Sequence, residues 1–234
     1  MEFESLVNQI DEKYLQLSHT QSWRFLTSPK STLSKRTDAI FITLNPGGDK
    51  ITHERDKESC EHGSPYLYES WKGCPPGEES LQKQIQILYR ELDWEFDSVL
   101  SGQLVPFRSP LWSELPRQGE SLEFGIQLWR EVINCVKPNI IVAMGKSELR
   151  SPLIKILSKP KASETHSVGW GNISASLDIF ASCKLLSLPH LSRFKIMGRP
   201  QSQTCINTIV SRVHSVELIS KARQNRAAAL HWTR

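Results

Sequence analysis

Apolar positions along the chain fall into two alternating rhythms. Leu6, Ile10, Tyr14 and Leu17 recur at helical spacing and predict a packed helix within an N-terminal helical region over residues 1–37. Asp38-Ala39-Ile40-Phe41-Ile42-Thr43-Leu44 is a nearly continuous apolar run stopped by Asn45-Pro46-Gly47-Gly48, which predicts a buried strand ending in a sharp turn. Residues 51–78 are polar and irregular, carry Gly and Pro among Tyr66, Tyr68 and Trp71, and read as one long loop of the kind that usually serves function. Leu81, Ile85, Leu88 and Leu92 mark a second helix, and Ser98 through Val105 a second strand closed by Pro106. Ser121 reads as the cap of a helix with the apolar face Leu122, Ile126, Trp129, Ile133 and Val136, ended by Pro138. Asn139 through Met144 is the third strand, followed by Gly145-Lys146-Ser147 at the start of another helix. A Ser/Gly-rich stretch around Gly169-Trp170-Gly171 leads to the fourth strand, Lys184 through Leu188, which runs into Pro189-His190. A helix with Ile206, Ile209, Val213 and Val216, then a basic tail, occupy residues 201–234.

Strands that are apolar on both faces and alternate with helices predict an α/β fold: a three-layer α/β/α sandwich around a short four-stranded parallel sheet, in one domain over residues 1–234. No internal repeat is visible. In such sheets ligands bind outside the carboxyl ends of the strands. All four predicted strands end in chemically unusual residues, namely Asn-Pro-Gly-Gly, Gln-Leu-Val-Pro-Phe-Arg, Gly-Lys-Ser and Pro-His-Leu-Ser, so these ends are expected to converge on one pocket.

Composition changes this picture in three respects. No run approaches the roughly 18–20 consecutive apolar residues of a membrane span, and Met1-Glu2-Phe3-Glu4 carries acids where a secretory signal carries Lys or Arg, so a cytoplasmic protein is expected. The five cysteines, Cys60, Cys74, Cys135, Cys183 and Cys205, show no C-x-x-C pair or zinc-type spacing, which argues against a disulfide framework and a cysteine-held metal or cluster. The net charge of +4 conceals an asymmetry: Arg193 to Arg234 holds eight Lys/Arg against Glu217, a local +7, while the rest of the chain holds 21 basic and 24 acidic residues. A basic C-terminal fifth on a slightly acidic body suits either a polyanionic partner or a solvated helix face and tail.

Two strand ends carry the candidate chemistry. Asn45 precedes Pro46, so its backbone is extended and its amide can enter the pocket or bond the turn. His190 follows Pro189, where a donor can stabilise negative charge developing on a ligand or satisfy a core contact. In their order and placement these residues resemble a known family. Leu44-Asn45-Pro46-Gly47 resembles the water-positioning motif of the uracil-DNA glycosylase superfamily, in its branch reading G-I-N-P-G, and Leu188-Pro189-His190-Leu191-Ser192-Arg193-Phe194 is similar to its His-Pro-Ser-type loop. Lys137 through Lys146 is similar to the strand and glycine turn before its backbone-binding loop, so the resemblance extends over roughly residues 38–200.

The resemblance implies a monofunctional DNA glycosylase that uses no cofactor and no metal, acts as a monomer and has DNA as its partner. Asn45 would hold the attacking water and His190 would donate to the leaving base. Gly47, Gly48, Tyr66, Tyr68, Trp71, Gln103, Phe107 and Arg108 would form the base pocket. Gly145, Lys146 and Ser147 would contact phosphate, and Leu191, Ser192, Arg193, Phe194 and Lys195 would meet the DNA, with Leu191, Arg193 or Phe194 wedged into the stack of the flipped base. Two departures open space near the pyrimidine 5-position: where the family commonly has Asn on its second strand this chain offers Gln103 or no side chain at all, and Gly47, followed by Gly48, stands where some branches place Tyr. Uracil and a bulkier 5-modified cytosine, such as the hydroxymethylated or glucosylated cytosine of phage DNA, both remain open, and with the latter a role in antiviral defence. The missing strand-two Asn also admits a catalytically silent DNA-binding module. A nucleotide-binding protein using the Asn-Pro-Gly-Gly turn as a phosphate cradle is weaker, because no phosphate-loop glycine spacing is present.

Overall fold

The structure is a computed structural model that describes residues 2–48 and 57–215. It contains six α-helices and one six-stranded sheet among the described residues. Along the chain these run α1 (Phe3–Gln16), β1 (Ala39–Thr43), α2 (Pro65–Tyr68), α3 (Ser80–Glu91), β2 (Leu100–Gln103) and α4 (Gln118–Val136). There follow β3 (Ile140–Met144), α5 (Lys146–Leu157), β4 (Ala162–Trp170), β5 (Ile173–Ile179), β6 (Lys184–Leu188) and α6 (Pro200–His214).

The sheet order is β2-β1-β3-β6-β5-β4; the first four strands are parallel and β5 and β4 follow antiparallel. The expected sheet of four strands is therefore corrected to six. The added pair lies in the Ser/Gly-rich stretch, where Trp170 pairs with Ile173 across the two-residue turn Gly171-Asn172, with Gly171 in the left-handed region at φ 53°. Strand β4 is largely exposed, so it carries no apolar run, whereas β1, β2, β3 and β6 are buried at every position.

Alternate strand residues feed two separate cores. Ile40, Ile42, Ile141, Ala143 and Leu185 pack with α1, α4 and α5, and Phe41, Val142, Met144, Leu186 and Leu188 pack with α3 and α6 on the other face. Helix α4 begins at Gln118, three residues before the expected cap; Ser121 is buried inside it, 3.0 Å from His19 Nε2. Val216 and the basic tail, with Lys221, Arg223, Arg226 and Arg234, lie outside the described residues.

Two features set up the site. The register pairs Thr43 with both Gln103 and Met144, and Met144 with Leu188, so the four parallel strands end side by side. The outer edge of β2 is covered by residues 23–27, with Gln103 N donating to Phe25 O at 3.0 Å and Thr27 N to Ser101 O at 2.8 Å. Gly102 permits this approach, because a Cβ there would lie 2.8 Å from Phe25 O. Covering the edge in this way carries Arg24 to the strand ends.

Candidate functional site

A cleft of about 1570 Å³ opens at the carboxyl ends of the four parallel strands. Asn45, Gln103, Gly145 and His190, one from the end of each strand, all line it.

Asn45 follows β1 and its orientation is determined by what surrounds its nitrogen. Nδ2 donates to Ser109 Oγ at 2.9 Å and to the carbonyls of Pro46 and Phe107, each at 3.3 Å. Backbone carbonyls only accept, so the amide cannot be flipped, and Oδ1 is the atom left to accept from a water. Asn45 thus bonds the turn through Nδ2 and also lines the cleft.

His190 stands at the end of β6, on an exposed residue at the cleft wall. Its Nδ1 accepts from Ser192 N at 3.3 Å and lies 2.7 Å from Ser192 Oγ. An amide N–H can only donate, so Nδ1 is unprotonated and the neutral ring carries its proton on Nε2. Desolvation by the cleft walls lowers the His190 pKa below the ordinary histidine value, and the Glu148 carboxylate opposes this without reversing it. The result is a neutral hydrogen-bond donor. Strands β1 and β6 are separated only by β3, so two strand spacings, about 10 Å, divide the Asn45 turn from the His190 turn.

The opposite flank, beyond β2, is charged and closed. Arg24 is buried and forks onto Glu69, with Nη1 to Oε2 at 3.2 Å and Nη2 to Oε1, while Nη2 also meets Cys60 Sγ at 3.1 Å. Glu69 further accepts from Trp71 Nε1 at 2.7 Å. Desolvation works against its charge, but the Arg24 fork and the Trp71 N–H outweigh it and hold the Glu69 pKa below the ordinary value. The backbone of this segment is fixed by Gln82, whose Nε2 donates to Glu69 O at 2.7 Å and Pro65 O at 2.8 Å. Arg108 donates through Nη1 to Gly47 O and through Nε to Ser22 Oγ at 3.1 Å, and so braces the Asn45 turn. Desolvation, then Arg24, lower its pKa, with Glu69 acting against them. Arg24 and Glu69 went unread in the sequence; they stand 45 residues apart and no local spacing signals the pair.

The pocket floor is neutral. Gln103 accepts from Thr43 Oγ1 through Oε1 at 2.6 Å, which turns its amide nitrogen away from that contact. Tyr66 is buried between Phe41 and Trp71, edge-on to both, and burial raises its hydroxyl pKa to about 12. Among the described residues, a Cβ at Gly47 would meet nothing within 4 Å.

The chain matches no family model and no curated protein.

The structure also relocates several expected residues. Tyr66, Trp71, Gln103, Arg108, Gly47 and Gly48 line the cleft, but Tyr68 and Phe107 do not. Tyr68 is 64% exposed, on the outside of the short α2. Phe107 is fully buried, 4.3 Å centroid to centroid from His19 and stacked on Phe124; only its carbonyl serves the site, through Asn45. Leu191 is fully buried in the α3/α6 core, because Arg193 N and Phe194 N both close onto His190 O and the tight turn points Leu191 inward. It cannot be the wedge. Ser192, Arg193 and Phe194 line the cleft, whereas Lys195 is exposed and does not. Gly145 N donates to Leu188 O at 3.0 Å, so it is not available to a phosphate. Lys146 lies at the first turn of α5 and donates through Nζ to Ser174 Oγ at 2.8 Å; Ser147 bonds the Glu148 carboxylate. The β4–β5 hairpin adds Asn172, Ile173 and Ser174 to the cleft.

Of the basic residues from Arg193 onward that are described, Arg212 pairs with Glu164 and Arg199 lies 4.6 Å over the Trp170 ring. Arg193 rests 5.4 Å over Phe194 at the cleft. No group of three or more His, Cys, Asp or Glu side chains suited to a metal occurs among the described residues, and no described helix is long and apolar enough to cross a membrane.

Proposed function

We propose that this protein is a monofunctional DNA glycosylase that hydrolyses the N-glycosidic bond of a flipped-out pyrimidine and leaves an abasic site. The observation that carries the reading is the pairing of a cleft-lining amide at Asn45, anchored through Nδ2 so that Oδ1 remains to accept, and a neutral Nε2–H donor at His190, about two strand spacings away. A water held by Asn45 Oδ1 attacks C1′ as the bond from C1′ to the base nitrogen breaks. Its electron pair passes into the base, where His190 Nε2–H stabilises the charge on O2, and the water proton leaves to solvent or base. Asn45 positions rather than deprotonates, because the transition state already places positive charge on the sugar.

The base pocket carries donors and space. The Gln103 amide nitrogen suits an acceptor on the pyrimidine edge, and the space at Gly47 among the described residues favours a 5-substituent, so a 5-modified cytosine stands beside uracil as the substrate. Phosphate contacts fall to Arg193 and the turn at Lys146 and Ser147 at the mouth. Binding as a monomer to DNA completes the reading. Its test is incubation with duplexes carrying uracil, 5-hydroxymethylcytosine or glucosylated 5-hydroxymethylcytosine, followed by alkali. Strand breaks at one of these bases are expected; none at any of them would overturn it.

One observation favours a second reading. The Asn45 amide is bonded as a purely structural asparagine would be, which suits a catalytically silent DNA-binding module. That reading predicts tight DNA binding with no base released.

A further inference from the structure

The segment that follows β2 along the far side of the cleft carries an apolar residue that the fold leaves uncovered. Leu111 is 58% exposed, and of the three large apolar side chains so exposed among the described residues, Leu15, Tyr68 and Leu111, only Leu111 lines the cleft. It stands on a braced segment. Ser109 N donates to Pro46 O at 3.2 Å and Ser109 Oγ accepts from Asn45 Nδ2, Pro110 follows, and Glu114 N closes a tight turn onto Leu111 O at 3.0 Å. Trp112 O accepts from Gln118 Nε2 at 2.8 Å, which ties the turn to the start of α4. The bonds that orient Asn45 therefore also hold Leu111. On the other flank the obvious wedge is missing, since Leu191 is fully buried and Phe194 is seated edge-on against Trp170.

We propose that Leu111 is the side chain that enters the duplex stack as the base leaves it, so that flipping is driven from the β2 side of the cleft rather than from the His190 loop. This rests on the glycosylase reading for its biological sense, but a gap in a duplex tests it without catalysis. An exposed leucine on rigid backbone loses little conformational freedom on insertion and covers the apolar faces that the departing base exposes.

The test uses the full chain and a duplex oligonucleotide with a central tetrahydrofuran abasic analogue, beside the same strand unpaired and an intact duplex. Leu111→Ala is expected to weaken binding to the abasic duplex by about tenfold while changing binding to the single strand less than about twofold, and Leu111→Met to restore it. A fluorescent 2-aminopurine next to the analogue should brighten with wild type and not with Leu111→Ala. Equal losses on both forms, no loss, or a duplex-specific loss in Phe194→Ala alone would overturn the proposal. Base release from uracil and 5-hydroxymethylcytosine duplexes separates the two ideas. A wild type that prefers the abasic duplex but frees no base refutes the glycosylase and keeps the wedge, and one with no such preference refutes the wedge whatever it excises.

Discussion

The two walls of the cleft are built on different principles. The wall at β1 and β2 is closed: Asn45, Arg108, Gln103, Arg24 and Glu69 are each held by several partners, and most are buried. The wall at β3 and β6 is open: His190, Ser192 and Arg193 are exposed, and the bonds they make are mostly to one another. A buried, over-determined wall can hold a water or a neutral base edge to a fraction of an ångström, because none of its side chains has another place to go. On the proposed reading, the exposed wall adapts to a phosphate backbone and supplies a donor to an anion that forms only during reaction. On that reading the division assigns positioning to the closed side and hydrogen-bond donation to the leaving base to the open one.

Substitutions can break this contrast. The largest effect is expected from Asn45→Ala, which should lower single-turnover excision by about 10³-fold while binding to an abasic-analogue duplex is retained; rates and affinities measured together check it. His190→Ala, on the open wall, should lose about 10²-fold in rate with little change in melting temperature, since its bonds are local. Glu69→Ala should do the reverse. Removing the carboxylate leaves the Arg24 charge buried without its counter-ion, with a destabilisation of about 2–3 kcal/mol or a melting temperature lower by about 5–10 °C, read by thermal unfolding.

The sequence shows one wall better than the other, and the reasons are physical. Strands β1, β3 and β6 are legible because burial on both faces writes each as a short, largely apolar run, and the ends of β1 and β6 identify Asn45 and His190 as candidates. The closed wall depends on partners distant in sequence. Nothing local marks Arg24 for Glu69, or tells that the segment beside Gly102 will lie on the sheet edge. The β4–β5 hairpin hides for a different reason: one of its strands is a solvated edge with little apolar signal, although Gly171-Asn172 between Trp170 and Ile173 was a readable turn. Leu191 and Phe107 misled because an apolar residue next to a functional one is as easily folded into the core as offered to a ligand; both are fully buried.

Two smaller effects sharpen the contrast. Protonating His190 displaces the Ser192 N–H bond to Nδ1, and desolvation lowers its pKa below the usual 6.5. Excision should therefore decline as pH falls, with a midpoint below 6.5, a profile measured under single-turnover conditions. The smallest expected effect belongs to Arg193→Ala, which should weaken binding to all sequences alike and reduce the slope of log affinity against log salt by about 1. A sequence-dependent loss there would mean that the open wall reads bases, and the contrast would fail.

The central claim is that Asn45 and His190 together release a pyrimidine base, and mass spectrometry of the small molecules freed from DNA tests it most directly. Duplexes containing uracil, 5-hydroxymethylcytosine or its glucosylated form should yield one intact free base with the wild-type protein, matched by an equal amount of abasic sugar, and none with Asn45→Ala. No free base from any of the three, or the same yield from Asn45→Ala as from wild type, would contradict it.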